Sequence, residues 1–190
     1  MSTNGVPLDR GETYYGTSGT IDTDNYGGVE FEGKEVEFLD TESSMMVRGR
    51  IMRNVSAATM YGGQSVVCAS GYHKQRFDGK TRLTATRSDG IIDPLLATIG
   101  VRVGDLCIVF YQGPCDVILN ENPGEVVTVG DYAVAATGAT SGATTGAGKV
   151  LLQAGANTAP YAHRLGVFME AATTAHGTAG TMRKVDLDIR

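Results

Sequence analysis

Apolar and polar residues alternate along this chain in runs too short, and too often interrupted, for helices. The clearest run is the last: Val185, Leu187 and Ile189 alternate with Lys184, Asp186, Asp188 and Arg190. A period of two puts one set inward and the other outward on a strand over 182–190, so a C-terminal tag or truncation is expected to be harmful. Val47, Gly49 and Ile51 alternate in the same way with Arg48, Arg50 and Met52, and Arg48, Arg50 and Arg53 read as outward residues of that strand. Strands are also predicted at 105–111, 115–119, 125–129, 131–136, 150–153 and 165–170, with 65–69 and 81–86 as further candidates. Segments 29–32 and 34–39 read as a hairpin broken at Gly33, with Glu30, Glu32, Glu35 and Glu37 on a solvated face. Pro94 has no amide to give a ladder and bars 91–99 from being a central strand.

One phrase occurs twice, Val101-Arg102-Val103-Gly104-Asp105 and Val127-Thr128-Val129-Gly130-Asp131, each time ahead of an apolar run. Strand, Gly-Asp turn, strand is how antiparallel sheets reverse direction. The class this predicts is all-β: a compact antiparallel β-sandwich or β-barrel. Residues 1–28 are rich in Gly, Thr, Asp and Tyr without an apolar period and are expected to form an extended N-terminal arm. Residues 29–190 form the β-rich domain. Tyr14, Tyr15 and Tyr26 are large amphipathic side chains in that arm, and they are the candidate partner contacts. The 135–148 stretch holds only Ala, Gly, Thr and Ser and reads as a mobile or partner-ordered loop.

Composition narrows the partner. Charged residues make up 19% of the 190 and glycines number 26, which fits a surface that meets other protein. A net charge of -5 without a Lys/Arg cluster argues against nucleic acid, which needs a basic face. No apolar stretch is long enough to span a bilayer, and the first residues lack the basic and apolar regions of a signal peptide. The chain is therefore expected to be made in a host cytoplasm, with Cys68, Cys107 and Cys115 as buried free thiols. The sequon at Asn54-Val55-Ser56 reads as chance.

Chemistry is sparse. Thr145-Gly146-Ala147-Gly148-Lys149-Val150 lacks both the leading Gly and the Ser/Thr of a phosphate loop. His73, His163 and His176 have no metal spacing, and no Gly-x-Ser-x-Gly elbow occurs. Asp22, Asp24 and Asn25 lack an acidic twelfth-position calcium ligand, since Gly33 stands there. No catalytic, cofactor or metal residue is assigned, and no enzyme activity is expected.

The tail then carries a likeness. Gly166, Val167, Glu170, Ala171 and Ala172, a Gly-rich turn and a terminal Val-x-Leu-x-Ile strand, preceded by repeated Val-Gly-Asp strand starts, resemble the capsid decoration (cement) proteins of tailed bacteriophages. Phe168 and Met169 replace the smaller pair usual in those chains. The likeness covers about residues 101–190, within a decoration-like part at 93–190; residues 29–92 have no counterpart. It implies a virion protein on the outer surface of an icosahedral capsid, bound to major capsid protein and holding neighbouring subunits together, often as a homotrimer. A tail-tube or head-fibre subunit, and a glycan-binding adhesive β-sandwich on the virion, are the alternatives.

Overall fold

The computed structural model describes residues 8, 10–13, 31–71, 74–80, 88–118, 127–135, 150–152, 164–171 and 182–189. The all-β expectation holds. The strands are β1 (Glu35–Asp40), β2 (Met45–Asn54), β3 (Ser65–Cys68), β4 (Arg76–Lys80), β5 (Gly90–Ile92), β6 (Leu106–Ile118), β7 (Tyr132–Ala135), β8 (Val150–Leu152), β9 (Arg164–Phe168) and β10 (Met182–Asp188). They form one sheet in the order β1-β2-β4-β3-β5-β6-β10-β9-β7-β8, with a further pairing of β2 to β6. That pairing closes β2, β4, β3, β5 and β6 into a hydrogen-bonded ring. The sheet is mixed rather than purely antiparallel, because β2 and β4 run parallel at Arg53–Arg76 and Asn54–Phe77.

Period-two alternation explains how the ring carries two cores. Met52, Val66, Phe77, Ile92, Cys107 and Val109, drawn from all five ring strands, meet in one cluster with Met60, Leu96 and Val101. The intervening residues Ile51, Ile91, Leu106, Ile108 and Phe110 point the other way, into a second cluster. Against them pack Val36 and Val47 from the β1–β2 hairpin and Cys115, Val117, Leu165, Phe168, Val185, Leu187 and Ile189 from β6, β9, β10 and the residue after it. β6 is thus buried on both faces, which is why its first half is a continuous apolar run. Each fully buried Phe or Ile contributes about 1.5–3 kcal/mol.

The repeated phrase is a repeated structure. In each copy the Asp amide donates to the carbonyl three residues back, Arg102 or Thr128, at 3.1 Å. The Asp carboxylate accepts from the amide of that same residue, at 3.2 Å for Asp105 and 2.7 Å for Asp131. Gly104 and Gly130 supply the positive φ, 91° and 96°, that such a turn needs. Each turn then docks on the end of a neighbouring strand. The Gly104 amide donates to the Asn54 carbonyl, and the Asn54 amide donates to Asp105. Gly130, Phe168 and Asp131 repeat the pattern.

Several expectations need correcting. Residues 31–33 form a tight turn, not a strand, and β1 begins at Glu35 and pairs with β2. Glu32 is not on a solvated face: it is buried, with Arg53 Nε donating to Oε1 and Arg76 Nε to Oε2 at 2.7 Å. Arg53 is not outward either; it is fully buried, and its Nη1 donates to the Gly104 carbonyl at 2.5 Å. Ring closure puts both faces of β2's end inside, and a carboxylate between two guanidinium groups satisfies charges that no outward alternation required. The strands read at 105–111 and 115–119 are one strand, β6, continuous through Gly113 and Pro114. β5 ends before Pro94 as expected, and Pro94–Leu96 is a 3-10 turn capped by Asp93. Asn54 is buried and its amide nitrogen bonds Ala58 and Val101, so the sequon is inaccessible. The strand candidate at 81–86 lies outside the described residues.

Candidate functional site

Tyr14, Tyr15 and Tyr26, the three histidines, the Asp22–Asp24–Asn25 group and nearly all of the 135–148 loop lie outside the described residues. Of the residues ahead of the tyrosines, Leu8 and 10–13 are described, and they dock on the domain. Leu8 is buried in the second of the two clusters, the outer core that lies between the ring and β1, β9 and β10. The Gly11 amide donates to Asp93 Oδ2 at 2.7 Å, and the Arg10 guanidinium lies 3.7 Å from Asp93 Oδ1 and over the Phe110 ring.

Large apolar side chains exposed to solvent mark the surface that needs explaining. Among the described residues, Val129 and Tyr132 lie at the start of β7, and the other seven fall at the two ends of β2. At its start, Leu39 (59% exposed) and Met46 (49%) are direct cross-strand partners at the tip of the β1–β2 hairpin, with Met45 beside them. Below them on the same face, Glu37–Arg48 and Glu35–Arg50 form ion pairs at 2.6 and 2.8 Å. The tip is held in one geometry. Asp40 accepts from the Ser43 amide at 3.0 Å and hydroxyl at 2.6 Å, and Ser44 takes a left-handed φ of 56°. Lys184 of β10 bonds Glu42 and lies 3.9 Å from Asp40. A side chain at Gly113 would overlap the Met46 carbonyl, so β6 presses directly on the hairpin backbone.

Titration leaves this clamp closed at neutral pH. The Ser43 hydrogen bond is the main cause holding the Asp40 carboxyl below its ordinary range, and the Glu42 bond is the main cause raising Lys184. The Asp40 contribution is lost only as pH falls through its lowered pKa, and that of Lys184 only as pH rises through its raised one. Asp116, paired with Lys184 across β6 and β10, is shifted up by burial, a smaller opposing effect on the acid side.

At the other end of β2, Asn54 bonds Val101, Val101 pairs with Met60, and the turn at Pro94–Leu96 covers the ring. Here Tyr61 (42% exposed), Leu95 (56%), Ile99 (66%) and Val103 reach solvent. A Cβ at Gly100 would sit 3.1 Å from the Tyr61 ring, and one at Gly62 would lie 2.7 Å from both Ala97 N and Pro94 O. Tyr61 and the 93–100 segment therefore form one close-packed platform. Ten residues of strand separate platform from tip, a reach of about 30 Å.

Comparison with family models and with curated proteins gives no match. Among solved structures, the head fiber gp8.5 N base in bacteriophage phi29 is similar at 16% identity, over 75% of this chain and 95% of that one, with a TM-score of 0.43.

The thiols offer no reactive centre among the described residues. Burial, reinforced by Asp89, pushes Cys68 up to about 12, and burial raises Cys107 and Cys115 well above the ordinary thiol range. All three are free, as expected from sequence, with Cys107 and Cys115 buried but Cys68 only half-buried. Because the thiolate is the nucleophile, a chromogenic disulfide reagent at pH 8 should titrate none of them quickly in folded protein and all three in denaturant. Rapid reaction of one thiol in the native state would contradict this placement.

The sequence reading missed the tip and the platform. A signal for the tip was present: Met45-Met46 follows a polar turn and breaks the alternation. The platform had no such signal, because Tyr61, Leu95 and Ile99 come together only through the ring.

Proposed function

We propose that this chain is a non-enzymatic structural subunit of a phage virion that binds the outer surface of the capsid and cements neighbouring major capsid protein subunits. The observation that carries it is the pair of exposed apolar surfaces at the two ends of one strand, fixed relative to each other by a closed ring. A body with two modest contacts at fixed separation gains from effective concentration, so each contact can be weak alone. Aromatic and methionine side chains suit both surfaces to protein partners. The likeness of residues 101–190 to decoration proteins supplies the class of particle.

Co-sedimentation with empty heads of the phage, combined with the mass of the free protein in solution, tests this reading. The protein should pellet with heads at a fixed ratio, and a mass of three chains would support self-association as a trimer. Protein that remains in the supernatant at micromolar concentration would refute it.

Tyr14, Tyr15 and Tyr26 remain proposed contacts. Deleting residues 1–28 is a poor test of them, because it also removes Leu8 from the core. The triple substitution to alanine should leave the melting temperature unchanged and weaken head binding about tenfold or more. Undiminished binding would remove the tyrosines from the interface.

A further inference from the structure

We propose that the β1–β2 tip is a preformed knob that seats in an apolar pocket on a major capsid protein subunit, and that this pocket is rimmed by Lys or Arg side chains. The inference rests on the structural-subunit reading and deepens it by naming one of the two contacts.

Three features lead to it. First, Leu39, Met45 and Met46 project from the domain, while the next inward pair, Phe38 and Val47, belongs to the core. Second, the tip is locked before any partner arrives, by the Asp40 cap, the left-handed Ser44 and the Lys184 clamp. An ordered knob gives up little conformational freedom on binding, and two methionines adapt their shape to the wall they meet. Third, its surroundings are acidic. Asp40, Glu42, Asp116 and Glu170 surround Lys184, which faces Asp116 across the strands and donates its amide to Glu170 at 3.4 Å. Arg10 is a second cation acting on Asp40 and Asp116, but it also pairs with Asp93. Lower on the hairpin, Glu35 and Glu37 are already matched by Arg50 and Arg48. Four carboxylates against Lys184 and a shared Arg10 leave a net negative charge beside the knob, and a complementary partner presents positive charge there.

Two variants test it on heads. The double variant Leu39→Ser with Met46→Ser should fold with a nearly unchanged melting temperature, since both side chains are exposed, and should bind heads at least about tenfold more weakly. Glu42→Gln should weaken binding a few-fold at low salt, and the difference should vanish near 1 M salt, where the screening length is about 3 Å. Wild-type protein that fails to pellet would sink the structural reading and this proposal together. If wild type pellets and the double variant pellets equally well, the knob alone is wrong. A Glu42→Gln effect that does not respond to salt would overturn the basic rim.

Discussion

Glu32→Ala should lower the free energy of unfolding by about 3–5 kcal/mol, the range for removing one partner of a buried ion pair. The Glu32 carboxylate lies between two guanidinium groups, Arg53 with no exposed side-chain surface and Arg76 nearly so. Without it two positive charges face each other in a region that excludes water. The loss also spreads, because Arg53 holds the Gly104 carbonyl and so ties the first Val-Gly-Asp turn to the end of β2. Glu37→Ala is the control. Its partner Arg48 is half exposed, and such surface pairs contribute about 0–1 kcal/mol. Urea denaturation of both variants measures the contrast. Similar small losses for the two would mean that Glu32 is solvated and that the ring end is open.

Gly166→Ala should cost about 3 kcal/mol, the upper part of the range for overpacking a tight site. A Cβ at Gly166 would overlap the Asp186 carbonyl oxygen and lie 2.7 Å from its carbon and 2.9 Å from Leu187 Cα. Those are main-chain atoms of β10, which cannot rotate away. β9 would have to separate from β10, loosening Val185, Leu187 and Phe168 in the outer core. Gly130→Ala provides the comparison, since nothing lies within 4 Å of its Cβ position and only the φ of 96° is strained. It should cost about 1 kcal/mol. Thermal melts of both variants decide this, and equal losses would refute the close approach of β9 and β10.

The parts of this fold that could be read from sequence are those governed by local alternation and turn chemistry. Val185, Leu187 and Ile189 point inward as their spacing requires, and both Val-Gly-Asp phrases make the turn their residues favour. Pro94 ends a strand where a missing amide demands it. What local pattern does not contain is closure. Arg53 and Glu32 look like solvent-facing residues until β2 and β4 pair in parallel and bury both faces. The apolar platform is likewise a product of closure, assembled from Tyr61 and the 93–100 segment. Gly113-Pro114 reads as a break in sequence, yet β6 runs through it, paired in continuous register with Leu187 and Asp186 of β10.

Under the proposed function, one rigid block joins capsid subunits and so keeps a pressurised shell intact. Heating phage heads that carry the protein, and heads stripped of it, while following DNA release with an intercalating dye, tests this most directly. The account predicts that stripped heads release DNA at a clearly lower temperature and that adding the purified protein back restores the original value. Identical release curves for the two kinds of head would contradict it.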